Sequence, residues 1–304
     1  MELKKRKLNR MKTSFITTVL NEEKNIKEYL ESIISQSKKP DEIIIIDAGS
    51  GDKTQAIIKS TSKITKIPVN LITKSNIPRS TARNLAVKKA KHPIIIVSDA
   101  GNILDKDWLK TIIEPFINKR IDSVAGFYQV KANTIFQKSV APFVAIMPDK
   151  FDQKTFLPSS RSLAFKKAAW KKVGGYPEPL NTCEDLIFAS KLKTQTNMAV
   201  KPNAIVYWRQ ANNLKIFFNM IKNYTKGDVQ GKYQPHLKKI LFVYLRILFL
   251  TIFPVLIPFY LLFSIIKRYH YVKHPLAFIY LPILQLTSDF AVIIGLLNGI
   301  ISKL

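Results

Sequence analysis

Cysteine is all but missing from this chain. Cys183 stands alone, so no intramolecular disulfide can form, and compartment cannot be read from cysteine usage. Acidic residues are also scarce: 21 Asp and Glu face 48 Lys and Arg, a formal net charge of +27. Such a surface attracts polyanions, whether nucleic acid, anionic lipid head groups or phosphorylated substrates. The aromatic-interleaved basic motifs of nucleic-acid binders are absent, which disfavours the first of these. No apolar run follows the basic opening MELKKRKLNRMK, so it does not read as a signal peptide, and the polar part of the chain is expected in the cytoplasm. Neither an internal repeat nor a low-complexity tract is visible.

Apolar residues make up 47% of the chain but are unevenly spread. Up to about residue 238 the sequence is mixed; from Ile240 it is almost purely apolar. Six Lys or Arg and one acid fall after residue 238, which leaves a net +22 on the first 238 residues. Residues 240–266 hold only one charge, Arg246, and residues 276–302 only Asp289. Each stretch would be roughly 40 Å long as a helix, against a hydrocarbon core of about 30 Å. The expectation is a hairpin of two tilted hydrophobic helices joined by KRYHYVKHP and kinked at Pro254, Pro258 and Pro282. The basic loop, with Lys267, Arg268 and Lys273, sits poorly with the positive-inside tendency, so re-entrant or interfacial helices are the alternative. Asp289 in mid-span is costly, and is either functional or paired with a polar neighbour. A membrane with anionic lipids is the expected partner, each nearby basic side chain adding about 1 kcal/mol. The domain reading is a basic tail over 1–12, a folded domain over 13–238 and a membrane region over 239–304.

Within the folded domain, strands are expected at 14–20, 42–47, 69–73, 93–99 and 122–131. Helices are expected at 22–36, 80–90, 105–118, 166–172, 184–192 and 214–224, with another beginning at TQAIIKS. EIIIID (42–47) is continuously apolar, as a central parallel strand covered on both faces would be. Strand–helix alternation over the first hundred residues argues for an α/β, doubly wound, mainly parallel sheet, whose ligands bind at the strand carboxyl ends. Three strands end there at Leu20–Asn21, Asp47 and Asp99. Read alone, each Asp is also a plausible turn or helix cap. Glu184 and Asp185 open a helix, where acids also suit the dipole.

Four segments then carry a resemblance. FITTVLNEEKNIKEYLESIISQSKKPDEIIIIDAGSGDKT, STARNLAVKKAKHPIIIVSDAG, SSRSLAFKKAAWKKVGGYPEPLNTCEDLIFASKL and VYWRQANNLKIFFNMIKNYTKGD resemble, in order and spacing, the family 2 glycosyltransferases of GT-A fold. The resemblance covers residues 14 to about 230. It implies transfer of a sugar from a nucleotide-sugar donor, with Thr18, Leu20, Glu22, Asp47, Arg83, Asp99 and Arg209 on the donor side. By the same resemblance Asp47 hydrogen-bonds the base, and Asp99 is the first position of the DxD motif beside ribose and metal. Asp185, in the Glu184–Asp185 pair, is the implied catalytic base of a single inverting displacement. Trp208 and Tyr224–Asp228 resemble further family elements.

The third DxD position departs from the pattern, because the motif reads Asp99-Ala100-Gly101. This resembles a DAG-bearing branch of the family. A divalent cation, Mg²⁺ or Mn²⁺, could still be held by Asp99 with Asn102 or Asp105, or basic side chains could neutralise the diphosphate instead. No QxxRW motif follows residue 185, which argues for a non-processive enzyme. The expectation is therefore a cell-membrane transferase facing the cytoplasm, acting on a polyprenyl phosphate or lipid-linked glycan acceptor, with no nucleic-acid partner. The alternatives are a catalytically inactive sugar-nucleotide-binding membrane protein and a basic membrane-surface protein that binds nucleic acid.

Overall fold

The computed structural model describes residues 2–302; Met1 of the expected basic tail, and Lys303 and Leu304 of the expected membrane region, lie outside them. The chain forms two compact units, residues 1–129 with 153–208, and residues 130–152 with 209–304.

The first unit is built on β1 (Thr13–Val19), β2 (Glu42–Asp47), β3 (Val69–Thr73), β4 (Ile94–Val97), β5 (Asn102–Leu104), β6 (Ser123–Lys131), β7 (Leu163–Lys166) and β8 (Met198–Arg209). Their order is β3-β2-β1-β4-β7-β6-β8-β5. β1 pairs in parallel with β2 and β4, and β2 with β3. Beyond β4 the recorded pairs are antiparallel. The expected parallel character thus holds for the first four strands, which are linked by helical crossovers, and the other half of the sheet is antiparallel.

The apolar run of β2 has the cause its sequence suggests. Successive side chains alternate between faces. Ile43 and Ile45 join Phe15, Ile96, Tyr29 and Trp108 on one side. Ile44 and Ile46 join Ile16, Ile95, Ala82, Ala86 and Phe188 on the other. Both faces are covered, so no position in the run can be polar until Asp47.

Several boundaries differ from the expected ones. The helix expected from residue 22 begins at Ile26. Asn21 takes a left-handed φ of 54°, and the Glu22 carbonyl accepts the first turn's N–H groups from Asn25 and Ile26. The helix expected over 105–118 is α-helical at Trp108–Ile113 and tightens to a 3₁₀ turn at Glu114–Ile117, where Pro115 falls. The expected basic tail is a helix, Glu2–Arg10, with Leu8 buried in the core.

The second unit is helical. Its helices include Ile135–Val144, Leu214–Gln230, Gln234–Ile252, Ile257–Val272 and Ala277–Ile301. The single helix expected over 240–266 does not form. It breaks at Phe253–Pro254, and its two halves are bent by 113°. Proline has no N–H to continue the ladder, and its ring obstructs the preceding turn. Pro258 sits in the first turn of the resumed helix, and Pro282 lies inside its own helix without ending it. Among the described residues one helix, Ala277–Ile301, is by itself long and apolar enough to cross a bilayer. Phe242, Val255, Phe259, Ile266 and Phe290 point outward from these helices, an apolar surface suited to lipid.

Asp289 has the polar partners that the sequence left open. Arg246 Nη2 donates to Asp289 Oδ1 at 2.5 Å, Gln285 Nε2 donates to the same oxygen at 3.0 Å, and the Tyr260 hydroxyl donates to Oδ2. Three apolar helices therefore meet on one carboxylate.

Ala277–Ile301 packs along Leu214–Gln230 through two glycines. A Cβ at Gly295 would lie 2.5 Å from the Lys222 carbonyl oxygen, and one at Gly299 would lie 2.7 Å from Val229 Cβ. Gly295→Val should therefore cost about 1–3 kcal/mol through overpacking, read as a lowered melting midpoint by circular dichroism in detergent. Gly51→Ala, where a Cβ meets nothing within 4 Å, should leave the midpoint unchanged.

Candidate active site

The carboxyl ends of β1, β2 and β4 come together as the parallel register requires, with Val19 beside Asp47. The turn after β1 is laced to the turn after β2. Asn21 N donates to Ser50 Oγ at 2.9 Å, Gly51 N donates to Asn21 Oδ1 at 2.9 Å, and Glu22 N donates to Thr54 Oγ1 at 2.7 Å. Thr18 is half-buried near the end of β1, and Leu20 is exposed just past it.

Asp47 is fully buried. Its Oδ1 accepts from Gly49 N and Ser50 N at 2.8 Å and from Gln55 Nε2 at 3.2 Å. Its Oδ2 is buried without a hydrogen-bond partner among the described residues. A buried polar oxygen left so is costly, and an N–H donor from a ligand would satisfy it.

Arg83 occupies the centre of the unit. It projects from the helix Arg79–Lys89, with a side chain only 2% exposed. Its Nη1 donates to Glu184 Oε1 and its Nη2 to Asp99 Oδ1, while its guanidinium lies 5.4 Å from the centre of the Tyr176 ring. Burial opposes the charge on Arg83, but Asp99 and Glu184 overcome it and hold the guanidinium above its ordinary value. Burial likewise opposes the charge on Asp99. Arg83 first, then Arg161 and Arg79, outweigh it and hold that carboxyl below the usual range. Glu184 goes the other way, because its burial exceeds the help that Arg83 gives.

Asp185 follows Glu184 at the start of the helix Glu184–Gln195, which Cys183 enters with a left-handed φ of 69°. The two acids diverge. Glu184 is buried against Arg83, whereas Asp185 is half-exposed, with Oδ2 3.4 Å from Ser160 N. Of the residues expected at a site, the first unit thus gathers Glu22, Asp47, Arg83, Asp99, Glu184 and Asp185 around the β1, β2 and β4 ends. Arg209 ends β8 and belongs to the second unit.

The suggested helpers of Asp99 are occupied elsewhere. Asn102 Nδ2 donates to the main-chain oxygen of Asp99 at 3.0 Å, and Asp105 accepts from the Tyr207 hydroxyl at 3.3 Å. Among the described residues no group of three or more His, Cys, Asp or Glu is placed to hold a metal. Asp99 nonetheless spends only Oδ1 on Arg83, and its side chain is 30% exposed. That suits a hard cation, which takes one or two carboxylates and completes its shell with phosphates and water.

Sequence reasoning missed Arg79 and Arg161. Arg79 donates to the Asn181 carbonyl at 2.8 Å, and Arg161 lies 3.9 Å from the centre of the Trp208 ring. Both sit inside motif-bearing segments, in PRSTARN and SSRSLAF, but only the fold turns them towards Asp99. Asn84, next to Arg83, ties the helix to the 176–178 loop through Tyr176 N, the Tyr176 carbonyl and Glu178.

An α/β unit with acids at parallel strand ends and an acidic pair opening a helix defines a GT-A class of protein. The chain belongs to glycosyl transferase family 2, whose profile matches residues 14–172. It is 27% identical over 194 residues to the O-antigen chain rhamnosyltransferase RfbN of Salmonella typhimurium, covering 60% of this chain and 61% of that protein. It is also 27% identical over 188 residues to the poly-beta-1,6-N-acetyl-D-glucosamine synthase of Staphylococcus epidermidis, covering 59% of this chain and 45% of that one. The chain thus spans about three-fifths or less of the length of these curated relatives. Among solved structures, the mannosyltransferase PcManGT from Pyrobaculum calidifontis, in complex with GDP-Man and Mn²⁺, superposes with a TM-score of 0.60 at 14% identity, over 97% of this chain and 89% of its own. TarS of S. aureus with UDP-GlcNAc gives 0.53 at 21% identity, over 71% and 66%. At such identities the likeness is one of fold.

Arg83→Met should destabilise the first unit by about 3–5 kcal/mol at neutral pH, because it strands a buried carboxylate. Glu184 would keep its burial and lose its cation, so its carboxyl would stay above the unfolded value. The penalty is therefore full above that raised value and shrinks as pH falls into the ordinary carboxylate range, where Glu184 is protonated in both states. Chemical unfolding followed by tryptophan fluorescence reads this directly, since Trp108, Trp170 and Trp208 all lie in the first unit.

Proposed function

We propose that this chain is an inverting, non-processive glycosyltransferase that moves a sugar from a nucleoside-diphospho-sugar to a membrane-associated acceptor. A polyprenyl phosphate or a lipid-linked glycan is the acceptor class. The observation that carries the reading is the buried bridge Asp99–Arg83–Glu184, which fixes the donor-side strand end and the Glu184–Asp185 pair in one constellation.

Residue roles follow from that placement. The unsatisfied Oδ2 of Asp47 accepts an N–H of the nucleobase, a charge-assisted bond that selects the base edge. Thr18, Leu20 and Glu22 line the donor side. Asp185, exposed where Glu184 is not, accepts the proton of the acceptor hydroxyl as that oxygen attacks the anomeric carbon and the nucleoside diphosphate leaves from the opposite face. Glu184 positions Arg83. A divalent cation, held by the outer oxygen of Asp99, would supply charge neutralisation for the leaving diphosphate.

The apolar helices and the net charge of +27 support a cell-membrane location with the catalytic domain, residues 13–238, on the cytoplasmic side and residues 239–304 in or on the bilayer. The RfbN and synthase relatives carry names of glycan-building enzymes, which supports a glycan acceptor here.

Asp185→Asn should lower sugar transfer by about 10²–10⁴-fold, the usual worth of a positioned base, while nucleotide binding stays within twofold of wild type. Detergent-solubilised protein, screened against nucleotide sugars with a lipid-linked glycan that presents an acceptor hydroxyl, provides the assay. Wild-type protein that binds nucleotide but turns over no donor would leave the inactive binding-protein reading in place of this one.

A further inference from the structure

Gly101 stands where the third residue of the acidic motif would carry a carboxylate. Its φ of +86° lies in the left-handed region that glycine tolerates best, which accounts for the residue but leaves the acid missing. A Cβ at Gly101 would have a single neighbour within 4 Å, and that neighbour is Glu22 Oε2 at 3.7 Å. The carboxylate of Glu22 therefore reaches, from the β1 side, the space an acidic residue at 101 would fill.

Glu22 is built to stay there. Its N–H is fixed by Thr54, its main-chain oxygen starts the helix Ile26–Ile34, and Oε2 accepts from Asn25 Nδ2 at 3.2 Å. Burial pushes its carboxyl up, against Asn25 and Arg79, and the neighbouring charge of Asp99 adds to the rise. Glu22 and Asp99 thus feel each other across the gap that Gly101 leaves.

Charge points to what the gap takes. The acids interacting here are Glu22, Asp52, Asp99, Glu184 and Asp185, and the cations are Arg79, Arg83 and Arg161. Formal charge is negative by two before any diphosphate arrives, and Arg83 is already shared between two carboxylates. A nucleoside diphosphate entering such a site needs further positive charge, and two carboxylates with phosphate oxygens can make the donor set of a hard divalent cation.

We propose that Glu22 replaces the missing third-position carboxylate, so that Glu22 and Asp99 together hold the divalent cation of the bound nucleoside diphosphate. This rests on the donor reading given above. The test titrates Mn²⁺ into the full chain in detergent, with UDP and separately with GDP, and follows the loss of the free Mn²⁺ electron-paramagnetic-resonance signal. Wild type should show one nucleotide-dependent site. Glu22→Gln should weaken Mn²⁺ in the nucleotide complex by tenfold or more, a larger loss than any it causes in metal-free nucleotide binding. Glu23→Gln, which neutralises an exposed neighbouring acid, should leave Mn²⁺ affinity within twofold.

Equal affinity in wild type and Glu22→Gln overturns the proposal, and so does an equal loss in Glu23→Gln, which would mean a diffuse charge effect. Nucleotide binding with no Mn²⁺ dependence in wild type overturns it while leaving the donor reading intact. Failure to bind either nucleotide overturns both. Where Glu22→Gln does not fold, Glu22→Asp withdraws the carboxylate by one methylene, and undiminished Mn²⁺ affinity in that variant is equally fatal.

Discussion

A guanidinium with a 2% exposed side chain is expensive to bury, and Arg83 is tolerated only because two carboxylates meet it from different parts of the chain. Much of the first unit's geometry follows from that need. Asp99 must stand at the end of β4, and Glu184 must open its helix facing inward. The helix that carries Arg83 must lie close to the sheet, and it does so through small residues, Ala82 and Ala86, packed among Ile16, Ile44 and Ile95. Once Glu184 is committed to Arg83, the next residue on the helix has to point elsewhere. Asp185 is left half-exposed because its neighbour is not.

The parallel half of the sheet was readable from local pattern because local pattern causes it. A strand covered on both faces is apolar along its middle, and the isoleucine runs of EIIIID and PIIIV show this without reference to anything distant. β2 and β3 match their expected limits, and β1 and β4 fall within a few residues of theirs. In the antiparallel half β6 forms at Ser123–Lys131, where a strand was expected over 122–131, whereas β5, β7 and β8 were not expected. β6, β7 and β8 come together across an intervening segment, residues 130–152, that groups with the second unit, and no periodicity in a strand records which neighbour it will find. The candidate site divides similarly. Asp47, Asp99 and the Glu184–Asp185 pair announce themselves at element ends. Arg79 and Arg161 look like ordinary surface bases among 48 until folding turns them towards one carboxylate.

In the apolar region the expected composition holds but only part of the expected shape does. Hydropathy over 240–266 is continuous, so a single helix is the natural reading, yet Pro254 removes a backbone donor where the ladder needs one, and the chain turns by 113°. Asp289 shows what such a bend makes possible. Arg246 lies before the break and Tyr260 after it, and both reach the same carboxylate on a third helix. A charged residue that looks prohibitive in a straight apolar span is satisfied when two helix segments fold around it. Its polar partners are as much a reason for the arrangement as the proline is.

The scarcity of acids over the whole chain makes their concentration at one place informative. Of 21 acidic residues, Asp99, Glu184 and Asp185 interact with Arg83, and Glu22 interacts with Arg79 and Asp99, in a molecule whose overall charge is +27. The two scales do different work. The long-range field of the basic surface attracts anions towards the protein, an effect that salt screens over about 10 Å. The short-range carboxylates act once the ligand has arrived, where screening is weak and position decides. A uniformly basic site would hold a diphosphate without discriminating base edge, metal or proton acceptor. A basic molecule with an acidic centre attracts the anion from afar and then requires it to present particular donors and cations, which is what a transferase has to do before it commits a sugar.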